Sequence, residues 1–143
     1  PDETGWRADL EALCAKLDIA DRVVWTGMIS GADKWAAYRG AEAFVLATHS
    51  ENFGVVIAEA MACGRPVLTT NKANIWREIE ASGAGLVSDD TPQAFAQSLQ
   101  QFLAMSPEVR SAMGAHARSC FLEHFWIDRT IAKLAATLQG KAG

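Results

Sequence analysis

No apolar run approaches the roughly 20 residues that a membrane-spanning helix needs, although hydrophobic residues make up 50% of the 143-residue chain. The N-terminus also lacks the pattern of a secretory signal: a basic stretch, an apolar stretch, then small residues. Basic charge is scarce: 13 Lys and Arg stand against 17 Asp and Glu, for a net charge of −4 and a pI near 5.3. That balance excludes a general nucleic-acid binder. Cysteine is limited to Cys14, Cys63 and Cys120, widely spaced and without C-x-x-C or a metal-ligand arrangement. Buried thiols in a reducing compartment are expected, with the cytoplasm as the location. Internal repeats, low-complexity tracts and linkers are missing too. What remains is a chain of one-domain size with enough apolar residues for a packed core.

The chain is organised around the 17-residue stretch SENFGVVIAEAMACGRP, from Ser50 to Pro66. Just before it, Ala43-Phe-Val-Leu-Ala-Thr48 is short, continuous and β-prone, which predicts a strand at 43–48 buried on both faces of a parallel sheet. His49 to Asn52 form a loop. After Gly54, the run from Val55 to Cys63 predicts two to three helical turns, with Gly64 as the left-handed residue that ends them and Arg65 near the negative helix end. Pro66 forbids continuation, and Val67 to Thr70 resume as a strand. The product is a right-handed strand-loop-helix-strand unit whose loop lies at the carboxyl end of the strand, where open α/β sheets bind ligands. Free N–H groups of Asn52, Phe53, Gly54 and Val55, together with the helix dipole, favour a phosphate there. Glu59 follows Glu51 by eight residues, about 80° further round the helix, so both carboxylates can reach one side of a ligand. Phosphate-binding amides with two hydroxyl-accepting carboxylates suit a sugar nucleotide.

The stretch HSENFGVVIAEAMACGRPVL resembles the Glu-(seven residues)-Glu signature of the retaining glycosyltransferases of the GT-B fold, the "glycosyl transferases group 1" family. The likeness continues upstream through Val24-Trp-Thr-Gly27 and Tyr38, and downstream through Gly83-Ala-Gly-Leu-Val87. It implies a Rossmann-like α/β fold, a parallel sheet with flanking helices, forming part of the C-terminal nucleotide-sugar-binding domain over residues 1–143. By that resemblance Glu51 is the catalytic residue and orients donor hydroxyls rather than acting as a nucleophile, while Glu59 accepts from ribose. His49 joins the donor contacts, and Gly27 brings backbone close to the base. No metal and no cofactor are expected, the nucleotide diphospho-sugar being substrate. One departure stands out: where the family shows paired glycines, this chain has Asn71-Lys-Ala-Asn74, followed by Glu78 at the family's loop-following glutamate.

The remaining elements read as follows. Trp6, Leu10, Leu13, Cys14 and Leu17 share one helical stripe, and 23–26 reads as a strand. Ser30 and Asp33 resemble a capping box for a helix ending at Gly40, with Trp35 and Tyr38 read as packing. Asn74 is the expected N-cap of a short helix, and Lys72 and Arg77 are either donor-phosphate contacts or solvated charges. A strand is expected at 86–87. Thr91-Pro92 and Ser106-Pro107 start helices, the first burying Phe95, Leu99, Phe102 and Leu103, and a last helix covers about 128–139. Terminal helices thus span about 107–139.

The resemblance aligns the four expected strands, 23–26, 43–48, 67–70 and 86–87, with the third to sixth of the family domain. Two strands, the basic Arg and Lys that neutralise the donor diphosphate, and the N-terminal acceptor domain are then expected in a longer parent enzyme. For that parent the expectation is hexosyl transfer, with retention, from a nucleotide diphospho-sugar to a glycan or lipid-linked acceptor. Polysaccharide synthesis and peripheral attachment at the inner membrane face go with it. This chain alone is expected to be inactive and to carry an exposed sheet edge open to self-association. The rivals are an isolated donor-binding or interaction module, a sugar-nucleotide epimerase of the same fold, and a purely structural α/β domain.

Overall fold

A computed structural model describes residues 5–127, which divide into two compact units between Lys34 and Trp35. The first unit opens with helix α1, Trp6–Lys16, which buries no residue. Its stripe of Trp6, Leu10, Leu13 and Leu17 is exposed throughout. The expected strand at 23–26 does not form. Val23 is extended, with φ −106° and ψ 120°, but the segment pairs with nothing in a ladder and Val24 is 83% exposed. β-prone side chains make a strand only where a neighbouring strand and a covered face exist, and among the described residues this segment has no strand partner and leaves Val24 uncovered. Helix α2, Gly31–Gly40, follows, and from Trp35 onward it belongs to the second unit.

The second unit is a three-stranded parallel sheet of β1 (Phe44–Leu46), β2 (Val67–Thr70) and β3 (Gly85–Ser88), in that spatial order. Phe44 stands opposite Val67, and Val67 opposite Gly85. Helix α3, Val55–Ala62, joins β1 to β2, and α4, Trp76–Ser82, joins β2 to β3. Helices α5, Pro92–Ala104, and α6, Pro107–Cys120, complete the described unit, with a wide turn at Phe121–Phe125. The expected helix at about 128–139 lies outside the described residues.

Alternation along β2 divides the core. Val67 joins Ile57, Met61, Ile79, Ala117 and Cys120 under α3, α4 and α6, whereas Leu68 joins Phe95 and Phe102 of α5. All four β2 residues are buried, as a central parallel strand requires. β1 departs from expectation: it is shorter than 43–48, and Val45 is 46% exposed. Helix α5 packs across β2 and β3, which leaves the matching face of the edge strand open. Leu103 is likewise exposed, contrary to the predicted stripe. Eight residues after Phe95 it lies about 80° round the helix, while Ser98, on the buried side, takes the core position.

Both proline-started helices begin as read. Thr91 Oγ accepts from the Ala94 N–H at 3.3 Å, and Ser106 Oγ from the Val109 N–H at 3.4 Å. Gly64 takes the left-handed conformation, φ 66°, at the end of α3. A Cβ on Gly114 would stand 2.5 Å from the Gly64 carbonyl oxygen, so α6 can cross the end of α3 this closely only with glycine. All three cysteines are free, yet only Cys120 is fully buried. Burial pushes its thiol pKa up.

Candidate functional site

Beyond the carboxyl end of β1 the chain turns tightly. Thr48 Oγ donates to the Ser50 carbonyl at 3.0 Å and accepts from the Ser50 N–H at 3.2 Å. Thr69 and Thr70 hydroxyls, buried on β2, donate to the Leu46 and Thr48 carbonyls, which stitches the ends of the two strands together. Pairing resumes once more at Glu51, bridged in parallel to Ala73. The Glu51 N–H donates to the Lys72 carbonyl and its carbonyl accepts from the Asn74 N–H, both at 3.1 Å. The reading of Asn74 as a side-chain cap fails on where the helix begins. Helix α4 takes Ile75, one residue later, as its N-cap residue and has no side-chain cap.

Gly54 then sets the start of α3. It is buried with φ 68°, and a Cβ there would stand 2.9 Å from Ile57 Cδ1. The Gly54 N–H donates to Glu51 Oε1 at 3.3 Å. The four amides from Asn52 to Val55 are therefore not all free, as the sequence reading had them: a carboxylate has settled at the positive end of its own helix. The amides of Asn52, Phe53, Val55 and Val56 find no acceptor among the described residues. Phe53, half exposed, meets the edge of the Phe125 ring at a centroid distance of 5.7 Å.

Glu59 lies in the second turn of α3, where Tyr38 Oη donates to its Oε2 at 3.1 Å. Burial, then the bond to Glu59, pushes the Tyr38 pKa up to about 12. On the neighbouring side of the strand ends, His49 Nδ1 lies 3.2 Å from Asp90 Oδ2, and Lys72 Nζ lies 3.9 Å from Asp90 Oδ1. The hydrogen bond from His49 holds the Asp90 carboxyl below its ordinary value. A cavity of about 290 Å³ opens here, lined by Thr48, His49, Thr70, Asp90, Thr91 and Phe95. Arg77 stacks on the Trp76 ring at 4.5 Å. Glu51, Asn52, Phe53, Gly54 and Val55 thus share one loop and helix start, His49 enters that loop, and Glu59 follows on the same helix. Gly27, φ 63°, belongs to the first unit.

A larger crevice, about 350 Å³, lies at the opposite, amino-terminal end of β2, between Glu42, Arg65, Arg110 and Gly114. Its guanidinium groups are already occupied: Arg65 donates to the Ala41 and Cys63 carbonyls, and Arg110 to Met105 and Glu42. It reads as a packing seam.

Sequence reasoning missed the partners Tyr38 and Asp90. They lie 21 and 41 residues from the groups they meet, and no local spacing signals such pairs. Among the described residues no His, Cys, Asp or Glu cluster could hold a metal ion, and no helix is long and apolar enough to cross a membrane.

The sequence profile of the glycosyl transferases group 1 family matches residues 3–119. The chain belongs to that family. Curated relatives agree. The D-inositol 3-phosphate glycosyltransferase of Salinispora tropica is 36% identical over 125 residues, which are 85% of this chain and 25% of that protein. That of Kineococcus radiotolerans is 33% identical over 117 residues, 76% of this chain and 27% of the relative. Among solved structures, sucrose-phosphate synthase from Thermosynechococcus elongatus superposes with a TM-score of 0.78 at 27% identity, covering 94% of this chain and 35% of its own. WaaG, a glycosyltransferase involved in lipopolysaccharide biosynthesis, gives 0.69 at 26% identity, covering 78% and 30%. The α/β sheet with flanking helices is thus that of the GT-B glycosyltransferases. The group 1 chain spans about a quarter to a third of the length of these relatives.

Proposed function

We propose that this chain is the donor-binding portion of a retaining glycosyltransferase that takes a sugar from a nucleotide diphospho-sugar. The observation that carries this reading is the start of α3, where four amides without acceptors stand between Glu51 and Glu59 beyond the carboxyl end of a parallel sheet. The diphosphate sits on those amides, Glu51 orients the hydroxyls of the transferred sugar, and Glu59 accepts from the ribose. Departure of the diphosphate is the hard step, since charge collects on the leaving group, and fixed N–H dipoles stabilise that charge. Glu51, held by the Gly54 amide, retains acceptor capacity on its carboxylate. No metal or cofactor takes part.

The acceptor, a glycan or lipid-linked hydroxyl, is bound by the rest of a longer enzyme that works in the cytoplasm, at the inner membrane face. By itself this chain binds donor without turning it over. Lys72 Nζ stands 3.9 Å from Asp90 Oδ1, and Arg77 lies on the Trp76 ring. The open edge of β1 is where a further strand, or a second copy, would add.

Calorimetric titration with uridine and guanosine diphosphate sugars tests the reading. Binding by the wild type, weakened about tenfold or more in Glu59→Ala, supports it. Equal affinities in the two proteins would remove Glu59 from the site and the reading with it.

A further inference from the structure

The proposed ribose acceptor, Glu59, does not take its orientation from α3 alone. A glutamate side chain has three rotatable bonds, and in a half-exposed position it samples several rotamers, each at an entropic cost when fixed. Here one carboxylate oxygen is fixed from outside the helix. Tyr38 Oη reaches it at 3.1 Å from α2, across 21 residues of sequence. Tyr38 is itself held. Its ring packs against Phe44 of β1 at a centroid distance of 5.8 Å and against Trp35 at 6.0 Å, so its hydroxyl is aimed by the sheet edge rather than by a mobile side chain. The sequence alone had assigned this tyrosine, the sole one in the chain, to packing. Phenylalanine would pack as well, and the hydroxyl needs another reason.

We infer that Tyr38 is a positioning residue for donor recognition: its hydroxyl locks Glu59 in the rotamer that meets the ribose hydroxyls, and thereby sets the preference for a ribonucleotide. The inference rests on the reading of Glu59 given above. The phenol donates and cannot be lost as a donor in any working range, since its pKa is pushed up to about 12. A carboxylate accepts about four hydrogen bonds, so the bond from Tyr38 orients the group without exhausting it. Preorganisation of this kind lowers the cost of binding rather than adding a contact to the ligand.

A ligand cycle tests this. Wild type, Tyr38→Phe and Glu59→Gln are each titrated with uridine and guanosine diphosphate and with their 2′,3′-dideoxy counterparts, and each variant's fold is checked by circular dichroism. Tyr38→Phe keeps the ring and its packing while removing only the hydroxyl. Its affinity for the ribonucleotide is expected to fall about three- to tenfold, with affinity for the dideoxy ligand unchanged. Glu59→Gln should lose the same discrimination. Equal losses on both ligands in Tyr38→Phe, or no loss on either, would overturn the positioning role while leaving Glu59 in the site. If the wild type binds ribo and dideoxy ligands alike, or binds neither, the ribose reading of Glu59 falls and the role of Tyr38 falls with it.

Discussion

The two ends of helix α3 are finished in opposite ways. At the carboxyl end, Arg118 donates to the Ala62 carbonyl and Arg65 to the Cys63 carbonyl. Gly64 turns left-handed, and Gly114 lets α6 close over it. Cations and a glycine stop satisfy the orphan acceptors of that helix end. At the amino end Gly54 bends the chain just as sharply, but no serine, threonine, aspartate or asparagine side chain caps the helix. Glu51 takes one amide and four others remain without an acceptor among the described residues. One end carries the packing of the domain, and the other is the end we propose for the donor diphosphate. The two ends belong to one eight-residue helix, so the contrast between them can be tested by substitutions a few residues apart.

Substitutions at the closed end should cost stability and spare binding, and those at the open end should cost binding. The largest effect is expected from Gly114→Ala, which drives a Cβ to 2.5 Å from the Gly64 oxygen. Chemical denaturation should show a loss of about 1–3 kcal/mol, with donor affinity unchanged in the folded protein. Gly54→Ala should cost about 1–2 kcal/mol for its left-handed backbone, and here nucleotide affinity should fall as well, because the open amides move. Arg118→Ala removes one cation from the closed end. It should cost about 1 kcal/mol in the same denaturation experiment and leave the nucleotide titration untouched.

The smallest effect is a pH dependence. Tyr38 has its pKa raised from 10.0 to about 12 in the folded chain. The stability this confers is complete below pH 10 and lost as pH rises through the folded value. Alkaline denaturation followed by fluorescence should therefore show stability falling between about pH 10 and 12, and Tyr38→Phe should lack that component. A wild-type profile identical to that of the variant would remove the Tyr38 to Glu59 bond from the account.

Much of the central unit was legible because its signals are local. Gly54 and Gly64 bracket α3, Pro66 forces the exit into β2, and Thr91-Pro92 and Ser106-Pro107 announce their helices. Each is read within a turn of the residue it governs. The misreadings share a different cause. Val23 to Thr26 have strand composition, but whether a strand forms depends on a neighbour elsewhere in the chain. Val45 and Leu103 are apolar, and their exposure follows from where α5 lies. Asn74 looks like a cap, but α4 begins one residue later, after Ile75. In the site, the glutamate spacing was visible, whereas Tyr38 as the partner of Glu59 appears only in a hydrogen bond that spans 21 residues of sequence.

The most direct test is to label the chain with ¹⁵N and follow its amide resonances as uridine or guanosine diphosphate is added. If the open end of α3 receives the donor diphosphate, the amides of Asn52, Phe53, Val55 and Val56 shift progressively and saturate, while those of Ala62, Cys63 and Gly64 at the closed end stay in place. A nucleotide that moves the closed end, or leaves the four open amides unmoved at saturation, would contradict the account.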